Sequence, residues 1–234
     1  MAVFNTKSNS FIGIDEAGLG PIFGPLVIAG TVIEERHEKK LKNNGVKDSK
    51  LFERQINARE KRRSTWIKNK IYIKNSYYIS ISASEIDKNF ENGITMYDLE
   101  IEGILKIINT LFDDSIKEII IHQIGGLSKK SFLGQLEKND DEISSVFPLI
   151  KYEKSADLKY IPVSMASIIA KSVRDEIVEK ICYDIGFDYI SGYPNQVTAN
   201  FLINFYSLHG ILPPEVRTTR NWDPLQKIIQ DMKD

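Results

Sequence analysis

Two adjacent acidic residues, Asp15 and Glu16, follow a short apolar run and precede a glycine-rich segment, DEAGLGPIFGP. The run at residues 11–15 (FIGID) predicts a buried strand. Neighbouring residues on a regular strand point to opposite faces, so the two carboxylates can share a site only where the strand ends. Gly18 and Gly20 permit such a turn and leave room for a substrate backbone. This pattern is compatible with a site built on two carboxylates beside a turn.

Other interpretations of the same segment remain open at this point. A polar loop that follows a strand-terminal aspartate has the same composition. A dinucleotide-binding fingerprint fits less well, because the glycines run G-x-G-x-x-x-G and Pro21 and Pro25 oppose the start of a helix.

The remaining elements predict an α/β protein in which helices cover a mixed sheet. Further strands are expected at residues 26–33, 71–83, 118–122 and 148–151, and helices at residues 50–70, 96–112 and 164–182. The segment from Asn195 predicts further helices around the Leu212-Pro213-Pro214 break. We expect a domain at residues 10–185 with a helical extension at residues 186–234 that packs on it.

Composition excludes several classes of protein. The 234 residues are 42% hydrophobic and carry a net charge of −1, which is ordinary for a globular domain. The lone Cys182 cannot form an intrachain disulfide, and no apolar stretch approaches the length of a membrane span. We therefore expect a cytoplasmic monomer without a membrane anchor.

A local excess of positive charge stands out against this balance. Residues 47–70 contain nine Lys or Arg residues and three acidic ones. They predict either a phosphate-binding face or a solvated helix surface.

Several motifs together resemble the ribonuclease HII family. The first is FIGIDEAGLGPIFGPLVIAG, which is similar to the family's DEAGRGP motif. VKDSK at residues 46–50, KSADLKYIPVSMASIIAKSVRD at residues 154–175 and SGYPN at residues 191–195 follow in the family's order, as does the segment at residues 214–222. The resemblance spans nearly the whole chain and implies a ribonuclease H-like fold.

The resemblance also implies an activity. Family members hold two divalent metals with four carboxylates and cleave RNA in RNA–DNA hybrids or at ribonucleotides embedded in DNA. Paired cations can stabilise the attacking and leaving oxygens of a phosphodiester. Mg²⁺ or Mn²⁺ suits such oxygen ligands. The implied partner is therefore an RNA–DNA hybrid or a DNA duplex that contains ribonucleotides.

Carried over to this sequence, the catalytic and metal ligands are Asp15, Glu16, His122 and Asp175. His122 stands where the family has a third acidic residue, so this site departs from the pattern. Either the imidazole replaces the carboxylate as a ligand, which favours Mn²⁺, or His122 is a structural residue in an impaired site.

The substrate-binding residues implied by the resemblance are Gly18, Leu19, Gly20, Lys50, Lys171 and Tyr193. Leu19 replaces the motif's arginine, so a guanidinium that reads the ribonucleotide is missing. The backbone amides beside it can still contact the 2′-hydroxyl, which distinguishes RNA from DNA. Tyr193 would stack against the sugar, and both lysines would contact phosphate or support the site.

The sequence thus predicts a metal-dependent endoribonuclease that leaves 5′-phosphate and 3′-hydroxyl ends. A second hypothesis is a catalytically impaired paralogue that binds hybrids or another nucleic acid without cleaving it. A third is a nuclease with shifted substrate choice, closer to ribonuclease HIII, which also lacks the arginine.

Overall fold

The computed structural model describes residues 9–46 and 57–233. Its strands are β1 (Ser10–Ala17), β2 (Leu26–Glu34), β3 (Asn75–Ile81), β4 (Ile116–His122) and β5 (Ile150–Glu153). They form one sheet in the order β3-β2-β1-β4-β5, in which β4 pairs in parallel with both β1 and β5. The predicted mixed sheet in a ribonuclease H-like fold is confirmed.

Nine α-helices lie within the described residues. They are α1 (Glu35–Asn43), α2 (Ala58–Asn69), α3 (Ala83–Glu91), α4 (Met96–Leu111), α5 (Lys129–Asn139), α6 (Ala156–Lys159), α7 (Ile161–Asp184), α8 (Gln196–His209) and α9 (Asp223–Asp231). Two 3-10 segments, Lys70–Tyr72 and Asp141–Leu149, occupy the starts of the strands predicted at residues 71–83 and 148–151. These strands therefore begin later than the sequence pattern indicates. The predicted C-terminal helical region is present as α8 and α9.

The chain divides into two compact units. Of the described residues, the first contains 9–16, 28–46, 57–79 and 100–172, and the second contains 17–27, 80–99 and 173–233. The extension predicted at residues 186–234 lies entirely within the second unit, which also includes earlier segments of the chain. The boundary predicted at residue 186 stays a prediction.

Close backbone approaches fix the helices of the first unit. A Cβ added to Gly13 on β1 would lie 2.1 Å from the carbonyl carbon of Pro162, so β1 touches the start of α7. Thr31 on β2 donates a hydrogen bond to the Pro162 carbonyl at 2.9 Å. A Cβ on Gly30 would lie 2.3 Å from the side-chain Cγ2 of Ile107, so α4 packs its side chains directly on β2. Larger side chains at these glycines would push the helices away.

The second unit has its own aromatic core. Phe23 and Phe201 pack edge to face with ring centroids 5.2 Å apart, and Phe187 packs against Phe201 in the same way at 5.0 Å. Val178 and Leu202 are fully buried in the same cluster.

No helix within residues 9–46 and 57–233 combines the length and the hydropathy needed to cross a membrane.

Candidate active site

Parallel pairing brings Asp15 and His122 to the same edge of the sheet. Ile14 on β1 is the register partner of Ile121 on β4, and Asp15 and His122 are the next residues of the two strands. The distance from His122 Nδ1 to Asp15 Oδ1 is 3.5 Å. The expected convergence of these two side chains is therefore present.

A third side chain at this edge is Asp157, on the one-turn helix α6. β5 ends beside β4, where Glu153 is the register partner of His122. Ser155 then adopts a left-handed backbone with φ of 56°, and the chain turns into α6. Asp157 is 2% exposed, and its Oδ1 lies 3.3 Å from His122 Nδ1.

Ligand atoms of Asp15, His122 and Asp157 all lie within 4.8 Å of one another. Two carboxylates and an imidazole are suitable donors for a divalent cation. His122 Nδ1 is buried and makes no well-formed hydrogen bond, although it faces both carboxylates. The donor set therefore fits a metal ion, and we call these three residues the donor triad.

Glu16 and Glu100 add two carboxyl groups beside the triad. Burial raises the pKa of Glu16 well above its ordinary value, and so do the charges of Asp15 and Glu100 and a hydrogen bond with Asp15. Glu100 on α4 is 1% exposed, and its Oε2 makes no hydrogen bond with any described residue. Burial, followed by the charge of Asp15, raises the pKa of Glu100 to about 8. Glu16 and Glu100 therefore favour their protonated forms to a higher pH than ordinary carboxyl groups do.

The proton state of His122 depends on the same carboxylates. Burial alone would lower its pKa, but the interaction with Asp157 and the charges of Asp15 and Glu16 outweigh that effect and raise it. A protonated His122 would itself neutralise part of the acidic charge.

The predicted ligand Asp175 is not a member of the donor triad. It lies on α7 in the second unit, where its Oδ1 accepts a hydrogen bond from the Tyr189 hydroxyl at 2.9 Å. The sequence interpretation passed over Asp157, although its ADLKY segment lies within the block at residues 154–175 that resembles the family. It also passed over Glu100, whose position among Leu99, Gly103 and Ile104 on an apolar helix face was a usable signal.

The glycine loop, residues 18–24, lies in the second unit with Tyr193. Gly18 and Gly24 have left-handed φ values of 101° and 89°, which L side chains rarely adopt. A Cβ added to Gly20 would lie 3.4 Å from Cε1 of Tyr193, so the loop and this ring are neighbours. Tyr193 is 47% exposed, which leaves a ring face for a ligand.

The other predicted contacts are less defined. Lys171 is half-buried on α7 in the first unit. Lys50 lies outside the described residues, as does part of the basic segment at residues 47–70. The described part includes α2, on which Lys61, Arg63 and Lys68 are exposed.

Comparison with known proteins points in one direction. The family model "Ribonuclease HII" matches residues 12–218. Ribonuclease HII of Thermococcus sibiricus is 38% identical over 223 residues, which cover 94% of this chain and 92% of the relative. The crystal structure of ribonuclease H2 from Pyrococcus horikoshii OT3 superposes with a TM-score of 0.79 at 31% identity, covering 96% of this chain and 99% of that one. Bst-RNase HIII, solved in complex with Mn²⁺, shares the fold with a TM-score of 0.79 at 21% identity, covering 97% of this chain and 71% of that one.

Proposed function

Because the chain belongs to the ribonuclease HII family, and is thus an endoribonuclease of the ribonuclease H type, we propose that it cleaves RNA in RNA–DNA hybrids or at ribonucleotides embedded in DNA with the help of divalent cations. The observation that carries this proposal is the donor triad, in which Asp15 lies on β1, His122 ends β4 and Asp157 lies on α6, the helix that follows β5. The products would carry 5′-phosphate and 3′-hydroxyl ends.

In this proposal Asp157 takes the ligand role that the sequence motifs suggested for Asp175. Asp15 and Asp157 would hold a cation with His122, and Glu16 would complete the set from the end of β1. The buried Oε2 of Glu100, without a hydrogen-bond partner among the described residues, supports the view that this region accommodates positive charge. A divalent cation bound there would stabilise negative charge on the attacking and leaving oxygens of the phosphodiester.

With His122 as a ligand, Mn²⁺ is expected to be preferred over Mg²⁺. Imidazole suits Mn²⁺ better than Mg²⁺, and one formal negative charge is lost at His122. A bound Mn²⁺ in the structure of the similar fold of Bst-RNase HIII agrees with this choice.

The glycine loop and Tyr193 would seat the ribonucleotide. The exposed Tyr193 ring offers a stacking surface for the sugar, and the amides at Gly18–Gly20 are candidate donors to the 2′-hydroxyl. Leu19 offers no polar side chain, so recognition at this position would depend on the backbone. Lys171, Lys50 and the basic residues of α2 would contact phosphates.

One observation favours a second candidate, a non-cleaving paralogue that binds hybrids. His122 Nδ1 lies within ion-pair distance of both Asp15 and Asp157. A protonated imidazolium could therefore neutralise these two carboxylates in place of a metal cation. The raised pKa of His122 points the same way.

The predictions of a monomeric, cytoplasmic protein stay predictions.

A cleavage assay separates the two candidates. The purified protein is incubated with a uniform RNA–DNA hybrid and with a DNA duplex that contains one ribonucleotide, with Mg²⁺ and Mn²⁺ compared. Cleavage that requires the added ion and is faster with Mn²⁺ supports the enzyme. Retained hybrid binding with no cleavage in either ion supports the paralogue.

A further inference from the structure

Two arginines hold consecutive carbonyl groups of the glycine loop. Arg217 donates from Nη1 to the Gly18 carbonyl at 2.7 Å and from Nε to the Gly24 carbonyl at 2.9 Å. Arg220 donates from Nη2 to the carbonyl of Leu19. The contacts join residues near opposite ends of the sequence and lie within the second unit.

A third guanidinium lies on the same loop. Arg174 donates from Nη2 to the Phe23 carbonyl at 3.1 Å and to the Ser191 carbonyl at 2.9 Å. Its guanidinium carbon is 5.7 Å from the centroid of the Tyr193 ring. The Arg174 guanidinium therefore contacts both the glycine loop and the exposed Tyr193 ring.

Burial of the charged Arg217 side chain is energetically unfavourable, because the guanidinium loses its hydration. It is fully buried, and within residues 9–46 and 57–233 no carboxylate forms an ion pair with it. Burial, followed by the charges of Arg174 and Arg220, lowers its pKa to about 9, so it is still charged at neutral pH. A buried charge is tolerated only when dipoles satisfy it. Here the carbonyls of Gly24 and Gly18 accept from Nε and Nη1, while Nη2 is buried without a hydrogen-bond partner among the described residues. Loop geometry and burial of this charge therefore depend on each other.

The geometry of the peptide group fixes where the loop amides point. In a trans peptide the C=O of one residue and the N–H of the next point in opposite directions, and no described peptide bond is cis. The N–H of Leu19 therefore points away from Arg217, and the N–H of Gly20 points away from Arg220. Neither N–H donates a hydrogen bond to a described residue. A cation on the carbonyl also polarises the peptide and strengthens its N–H as a donor.

We propose that Arg217 and Arg220 are positioning residues that turn two consecutive peptides, so that the N–H groups of Leu19 and Gly20 form a paired donor site for an oxygen of a nucleotide's sugar or phosphate. The inference rests on the proposed function and assigns to a buried and a half-buried arginine a role in substrate selection. Neither guanidinium touches the substrate; both act through the loop.

The test uses Arg220 as its main position, because Arg220 is half-buried and bonds one loop carbonyl, whereas loss of Arg217 endangers folding. The variants are Arg220→Ala, Arg220→Lys and Arg217→Lys. Lys227→Ala, an exposed cation of the same unit, is the control for lost charge. The first readout is the amide resonance of Gly20 in ¹⁵N-glycine-labelled full-length protein during titration with an RNA–DNA hybrid without metal. The second is kcat and KM for hybrid cleavage.

We expect the hybrid to shift the Gly20 amide of the wild type and of Lys227→Ala but not of Arg220→Ala. KM should rise about tenfold in Arg220→Ala with kcat changed less than about twofold, since one charge-assisted hydrogen bond is worth about a factor of ten. Arg220→Lys should recover part of the amide shift. Titration with an all-DNA duplex distinguishes the oxygens: a 2′-hydroxyl contact leaves Gly20 unmoved, and a phosphate contact moves it.

A wild type that cleaves the hybrid while its Gly20 amide does not move overturns this inference alone. Equal KM values for Arg220→Ala and Lys227→Ala would also overturn it. If the wild type fails to cleave the hybrid in either Mg²⁺ or Mn²⁺, the proposed function is overturned instead. The Gly20 titration then still decides whether the arginines prepare a donor site.

Discussion

Nδ1 of His122 lies 3.3 Å from Oδ1 of Asp157, although one residue ends β4 and the other lies on the one-turn helix α6. This contact makes a proton on His122 and a cation between the two side chains direct competitors. It also identifies Asp157 as a partner of the sheet edge, and the first prediction tests that identification.

Asp157→Asn and Asp175→Asn form a matched pair of isosteric changes. We expect Asp157→Asn to weaken Mn²⁺ binding by at least about 100-fold, since loss of even an outer partner of a metal site costs about 10- to 100-fold. Asp175→Asn removes the negative charge of this side chain but keeps an oxygen that can accept from the Tyr189 hydroxyl, and it should leave Mn²⁺ binding within about threefold of wild type. Titration calorimetry measures both values. A larger loss of Mn²⁺ affinity in Asp175→Asn than in Asp157→Asn would indicate that Asp175, not Asp157, is the ligand.

His122→Asp should restore binding of Mg²⁺. The substitution replaces a neutral donor by a carboxylate, so we expect Mg²⁺ affinity to rise about tenfold or more and Mg²⁺-supported cleavage to rise with it. His122→Ala should abolish cleavage in either metal. His209→Ala removes a histidine from the C-terminal end of α8 and serves as the control. Equal Mg²⁺ affinities of wild type and His122→Asp would show that His122 is not a ligand.

The raised pKa of His122 also predicts the direction of the pH dependence. A cation must displace the imidazole proton, so Mn²⁺ affinity of the wild type should increase as pH rises through neutrality. Calorimetry in buffers of different ionisation enthalpy should detect proton release, and His122→Asp should release fewer protons. A pH-independent Mn²⁺ affinity between about pH 6 and 8 would contradict the competition.

Glu100→Gln should stabilise the metal-free protein most at alkaline pH. The pKa of Glu100 is raised from 4.5 to about 8, so the folded protein holds this proton more tightly than the unfolded chain. That stabilising contribution is complete below the ordinary pKa and is lost as pH rises towards the folded value. Glutamine mimics the protonated acid, so its Tm advantage over wild type should grow between about pH 5 and 8. Thermal unfolding with chelator present measures the difference, and a constant difference would refute the raised pKa.

If the basic face of α2 contacts phosphates, the affinity for an RNA–DNA hybrid should depend on salt through these residues. Replacement of Lys61, Arg63 and Lys68 by alanine should reduce the slope of log affinity for hybrid against log salt by up to about 0.9 per lost phosphate contact. The triple variant of Lys117, Lys130 and Lys138 removes the same number of exposed cations elsewhere on the first unit. Identical slopes for the two triple variants would show that α2 is an ordinary solvated surface that does not bind the hybrid.

Leu19→Arg tests the missing guanidinium. Its planar donors should increase cleavage at a single embedded ribonucleotide more than on a uniform hybrid, because a lone ribonucleotide offers only one productive position. The rate ratio of the two substrates is the measurement, and Leu19→Met is the control for side-chain length. An equal gain on both substrates would indicate general binding rather than recognition.

Local sequence was sufficient for the strand ends but not for the full site. Asp15 and His122 could be placed because each ends an apolar run, and parallel strands bring such ends together. The sequence interpretation chose Asp175 and passed over Asp157, although both lie in the same motif block, because no residue pattern marks the left-handed turn at Ser155 that precedes α6. Arg217 carried no signal at all, because its burial arises from carbonyls of a segment at the other end of the chain.

That last separation has a consequence for how the protein is made. Gly18 and Arg217 are 199 residues apart, so the guanidinium reaches the loop only after nearly the whole described chain has left the ribosome. Contacts of such long range form late, whereas an N-terminal strand is available early in synthesis. While the intervening residues are being made, the nascent chain carries the glycine loop without the guanidinium that fixes its carbonyls. If the two arginines position the loop as proposed, nucleic-acid binding through it should begin only after the segment that carries Arg217 and Arg220 has been made and has folded onto the loop.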